Sequence, residues 1–163
     1  MPHVSFEQLP KDSRLWIFAA ERPLQKKEQQ RLLVKVDEFI NQWGAHTVPL
    51  SAGRDLRYGQ FLFVAVDQRA AGPSGCSIDA LLRQMKALQN ELAVELVNHS
   101  PVLFRRGERI TRVPRETFAA LVTAGKVNLN TTVFNNTLTS LGEVLAGRWE
   151  VPASQSWHAR AFF

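Results

Sequence analysis

The side chains of this 163-residue chain that could do chemistry are one cysteine, four histidines and a run of arginines. Cys76 stands in Gly72-Pro73-Ser74-Gly75-Cys76-Ser77-Ile78-Asp79, between the apolar run at 61–66 and a helical pattern. A strand that leaves through a glycine-rich turn into a helix aims free backbone N–H groups, and the positive end of the helix dipole, at the turn. Such a place binds anions, and it lowers the pKa of a thiol at the helix start. Gly72, Ser74, Gly75, Cys76 and Ser77 are therefore the candidate ligand loop, and Cys76 is the candidate nucleophile. A thiol mechanism needs a base. His46, just after the first helix, and His158, in the tail, are the candidates, with Asp67 or Asp79 to orient the ring.

Each familiar motif fails by a specific residue. No lysine lies from Ala70 to Leu82, so there is no Walker A loop. Gly72-Pro73-Ser74-Gly75 opens like a nucleophile elbow, but Cys76 stands where the last glycine belongs. A phosphatase loop wants arginine where Leu82 stands. The simpler account makes the glycines a tight turn and Cys76 a small, partly buried packing residue. His3, His46, His99 and His158 show no metal-ligand spacing, so no metal and no cofactor are expected.

Arg105, Arg106, Arg109, Arg112 and Arg115 fall within eleven residues around a hairpin turn. Guanidinium forks suit phosphates and carboxylates. Side chains alternate along a strand, however, so the five need not form one surface. Charge that guards a sheet edge is the plainer explanation. Trp43, Trp149 and Trp157 are read as packing rather than as a ligand box.

These residues sit on a legible order of elements. Apolar residues 15–18 read as a strand buried on both faces, central in a sheet. Leu32, Leu33, Val36, Phe39, Ile40 and Trp43 recur at helical spacing, with Gly44 as the stop. Residues 47–56 read as a weaker extended stretch that Pro49 puts at an edge or makes bulged, and 61–66 as its neighbour. Residues 77–96 read as a helix capped by Ser77, with Asp79 in its first turn. Pro101 to Phe104 starts a further strand, and 109–113 returns from the arginine turn. The order β-α-β-β-α-β predicts a ferredoxin-like α+β core with an antiparallel sheet. A C-terminal β-α-β-α extension is expected to pack on it, with a tail held down by Trp157, Phe162 and Phe163. The expectation is a single domain over 1–163, with a sub-boundary near 100 that separates 1–100 from 101–163.

Composition bounds the rest. The chain is 45% apolar and 21% charged, which is ordinary for a soluble globular protein. No apolar run reaches the roughly 20 residues of a membrane helix, and the N-terminal residues do not read as a signal peptide. A lone cysteine fits a reducing cytoplasm. A net charge of +5 permits contact with nucleic acid without requiring it.

Leu15-Trp16-Ile17, Trp43 with His46, Phe63 to Asp67, the 72–79 loop and Ser156-Trp157-His158 together resemble a family of small uncharacterised bacterial proteins. Its members are often labelled "ABC transporter ATPase". That label implies a P-loop, a signature loop and a Walker B acid, and this sequence has none of them. The resemblance implies a bacterial protein and brings no activity with it. Residues 112–135 also look somewhat like small GYF-type peptide-binding modules in topology, without their defining aromatics. Together these readings point to a non-enzymatic cytoplasmic protein that binds a partner or forms a homo-oligomer. The alternatives are a small thiol enzyme at Cys76 and an anion site at the 72–77 loop.

Overall fold

The apolar run at Phe61 becomes β5 (Phe61–Asp67), and the first sheet is built around it. The computed structural model describes residues 3–45, 48–69 and 71–163. β1 (Arg14–Ala19) and β4 (Ser51–Arg57) flank β5, both antiparallel to it, in the order β1-β5-β4. Tyr58 and Gly59, at φ 56° and 60°, turn β4 into β5. α1 (Lys26–Gln42) and α2 (Gly75–Leu92) cover one face of this sheet. Leu32, Val36 and Ile40 of α1 and Leu81, Met85 and Leu88 of α2 share a core with Phe18, Leu62, Val64 and Val66. A small ribbon of β2 (Gly44–Ala45) and β3 (Val48–Pro49) follows α1. A 3-10 turn at Phe6–Gln8 supplies Phe6, whose ring lies 6.1 Å from Phe63. β5 is therefore buried on both faces.

Both edges of that sheet are covered. The Val4 amide donates to the Ala52 carbonyl of β4 at 2.7 Å. On the β1 side, Leu15 donates to Thr139 at 2.9 Å and Leu141 donates to Ser13 at 3.1 Å. Thr139–Gly142 thus belongs to the same compact unit as the residues up to Val97, and Asn98–Leu138 with Glu143–Phe163 form a second unit. α4 (Leu141–Leu145) carries the chain from one to the other.

The second unit has its own sheet, in the order β7-β6-β8-β9 and antiparallel throughout. Its strands are β6 (Val102–Arg106), β7 (Arg109–Val113), β8 (Thr132–Phe134) and β9 (Glu150–Pro152). Gly107, at φ +66°, opens the two-residue turn between β6 and β7. α3 (Arg115–Thr123) and α5 (His158–Phe162) pack through Phe118, which lies 5.3 Å from Phe104 and 5.0 Å from Phe162. Of the apolar tail, Phe162 packs against this unit's core, while Phe163 is exposed.

The molecule is α+β with antiparallel sheets, and several details differ from expectation. Residues 15–18 are not central. β1 is an outer strand: Phe18 packs toward the helices, Leu15 and Ile17 are buried as well, and Thr139 and Leu141 bond along its free side. Val102–Arg106 pairs with β7 and β8 rather than with β1. Gly44 does not stop α1. The helix ends on extended Trp43, and Gly44 enters β2. α2 starts at Gly75, with Ser74 as its cap, and ends on left-handed Ala93 (φ 54°), short of Leu96.

Gly53 of β4 lies under the N-terminal segment. An added Cβ there would collide with the Val4 carbonyl and sit 3.2 Å from Phe6. We expect Gly53→Ala to cost about 1–3 kcal/mol in urea unfolding, as overpacking does. Gly75→Ala, where a Cβ meets nothing within 4 Å, should leave stability unchanged or raise it.

Candidate functional site

The end of α1 and the start of α2 meet at Trp43. Its indole is buried, and its Nε1–H donates to the Ser77 carbonyl at 2.9 Å. The Trp16 ring lies 5.9 Å away and Phe39 5.2 Å away. This packing forms one wall of an open cleft of about 480 Å³. Phe39, Trp43 and Gly44 come from the α1 side, and Ser74, Cys76, Ser77 and Ala80 from α2. Lys35, Glu38, Gln42 and Gln84 add polar groups. Lys35 Nζ lies 3.7 Å from Glu38.

The 72–77 loop is more committed than the sequence implies. The Ser77 amide donates to Ser74 Oγ at 3.1 Å, and the Ser74 amide donates to Ser77 Oγ at 2.7 Å. Ser77 Oγ also donates to the Ser74 carbonyl at 2.8 Å. This reciprocal cap uses both hydroxyls on the helix itself. Gly75 and Cys76 are the first two residues of α2, where an amide has no acceptor within the helix. Gly72 is exposed and Asp79 lies on the exposed side of α2. Asp67 is held by Arg69, whose hydrogen bonds keep its carboxyl below the usual range.

Cys76 is exposed and lines the cleft, so it is not a packing residue. Of its two candidate bases, His46 lies outside the described residues. His158 is buried in the core of the second unit. It stacks on Trp157 at 4.0 Å and lies 2.8 Å from Ser156 Oγ through Nδ1. No histidine appears among the described residues that line the cleft. Among the described residues, no three His, Cys, Asp or Glu side chains converge as a metal would need. No helix among them is long and apolar enough to cross a membrane.

The arginines divide by face. The register sets Arg106 opposite Arg109 and Leu103 opposite Arg112, so the first pair shares the face of Phe104 while Arg105 and Arg112 share the other. Arg105 pairs with Glu150 at 2.6 Å. Arg115 donates to the Ser100 carbonyl at 3.0 Å and lies over Trp157. Parity within one hairpin was enough to foresee that split. The cleft was not foreseen, because it depends on two helix ends far apart in sequence.

Comparison of the chain with family models, curated proteins and solved structures gives no match in any of the three.

Burial, reinforced by the Arg115 guanidinium, pushes the His158 imidazole down to about 4. An unfolded histidine takes its proton near pH 6.5. Between about pH 6.5 and 4 the unfolded chain therefore binds more proton, and stability falls as pH falls. We expect unfolding titrations to lose on the order of 3 kcal/mol across that window. His158→Phe should flatten that part of the profile.

Proposed function

We propose that this chain is a non-enzymatic binding protein whose first unit receives a small ligand, or one side chain of a partner, in the cleft between α1 and α2. The supporting observation is the cleft itself. Its volume of about 480 Å³ falls among ligand sites, and Trp43, already bonded to Ser77, gives it a preformed aromatic wall. Lys35, Glu38, Gln42 and Gln84 offer donors and acceptors of both signs around that wall.

Kinship with the small bacterial proteins, a cytoplasmic setting and a ferredoxin-like frame belong to the same reading. β1, α1, β4, β5 and α2 follow the split βαβ order, and the free side of β1 takes Thr139–Leu141 where a fourth strand would pair. One observation favours the thiol enzyme as second reading: Cys76 is exposed in the first turn of α2.

Alkylation separates the two. In the binding reading, iodoacetamide modifies Cys76 in the folded protein at a rate within a few-fold of the unfolded chain, from about pH 6 to 9. A folded-state rate that stays high near pH 6, while the unfolded chain becomes slow, would support the enzyme instead.

A further inference from the structure

A second cavity, of about 430 Å³, lies where α3 ends. Every residue that lines it belongs to the second unit, so it is a property of that unit by itself. Half-buried Val122 and buried Val127 line it beside Leu129 and Phe163, which are 44% and 42% exposed. The loop that carries these residues is held by its own hydrogen bonds. After α3 the Gly125 amide donates to the Val122 carbonyl at 3.0 Å, and the Lys126 amide to the Leu121 carbonyl at 2.9 Å. The Asn128 amide donates to Thr131 Oγ1 at 2.9 Å, and the Asn130 amide to Asn128 Oδ1 at 2.7 Å. The Leu129 carbonyl accepts from the Ser154 amide at 2.9 Å. The Phe163 ring lies 6.4 Å from Phe118. Two large apolar side chains are thus held out into water around a concave place, and such places mark contact sites.

Shape and charge select the occupant. The cavity is wide open on one side, and a small ligand buries most of its surface when bound. One large side chain of a bigger partner suits it better, with the flanks of that side chain lying outside. The second unit has eight Lys and Arg against four Glu, so it carries +4 of the chain's +5. None of those glutamates lines the cavity. Lys126 stands between two lining residues, and Arg160 stands one turn before Phe163. Both are exposed, and neither has a carboxylate partner among the described residues. A second copy would bring like charge to like. The side-chain amides of Asn128 and Asn130 line the cavity too, and such amides bond a peptide backbone.

We propose that this cavity is the docking site for a short acidic segment of a protein partner. One large apolar side chain of the segment enters beside Val127, Leu129 and Phe163, and its flanking carboxylates meet Lys126 and Arg160. This surface stands independently of the cleft at Cys76.

The test uses the isotopically labelled full chain and capped eight-residue Asp/Glu peptides, each with one central Leu, Ile, Met or Phe. At least one should shift the amide resonances of Val122, Gly125, Val127 and Phe163, with an affinity that falls as salt is raised. Ser in the central position should weaken binding by about tenfold or more, a control that does not depend on any variant folding. Leu129→Ser and K126E/R160E change exposed side chains only, and each should weaken binding several-fold. Equal binding of the Ser peptide would overturn the proposal, since only charge would then be read. So would no shift at these residues with about 1 mM peptide, the same shifts on concentrating the protein alone, or tighter binding of single-stranded RNA or anionic vesicles than of any peptide.

Discussion

The hydrogen bond from Trp43 Nε1 to the Ser77 carbonyl is the constraint on which the first unit's site depends. A buried indole N–H must find an acceptor. Here the acceptor belongs to the first turn of α2, so the residue that closes α1 is tied to the start of the next helix. The reciprocal cap of Ser74 and Ser77 holds that turn in place from the other side. Trp16 and Phe39 fix the plane of the indole. A small set of contacts therefore sets the distance between two helix ends, and the cleft is the space they leave.

The second unit rests on a different hub. Phe118 of α3 touches Phe104 of the sheet and Phe162 of the tail, with His158 6.2 Å away. Enclosure, with Arg115 close by, keeps the imidazole neutral well below the pH at which a free histidine takes its proton. A histidine kept in that way is a packing group. The chemistry of the molecule thus divides: the Cys76 thiol faces solvent in one unit, and His158 lies in the core of the other.

Local signals were legible where a single element decides them. The run at 61–66 reads as a strand and is one, and the hairpin turn expected at Arg105-Arg106-Gly107-Glu108 falls at Gly107-Glu108. The helical stripe of Leu32, Val36 and Ile40 is buried as its spacing requires. Competing signals misled. Ser74 and Ser77 can each cap a helix, and their mutual bonding puts the start three residues earlier than Ser77 alone suggests. β1 reads as central, and the segment at Thr139–Leu141 that bonds along its free side lies far along the chain, a cause invisible in its own six residues. β9 is too short to carry a pattern. The strand at Val102 joins its own hairpin, since a neighbour two residues away costs far less chain entropy to pair than a distant sheet.

The most direct measurement is a titration of the isotopically labelled full chain with a library of small planar acids and amides, read at its backbone amide and indole resonances. A preformed cleft predicts weak binders whose shifts group at Phe39, the Trp43 indole, Gly44, Ser74 and Cys76. Shifts scattered over both units, or a library without a binder at those residues, would contradict the account.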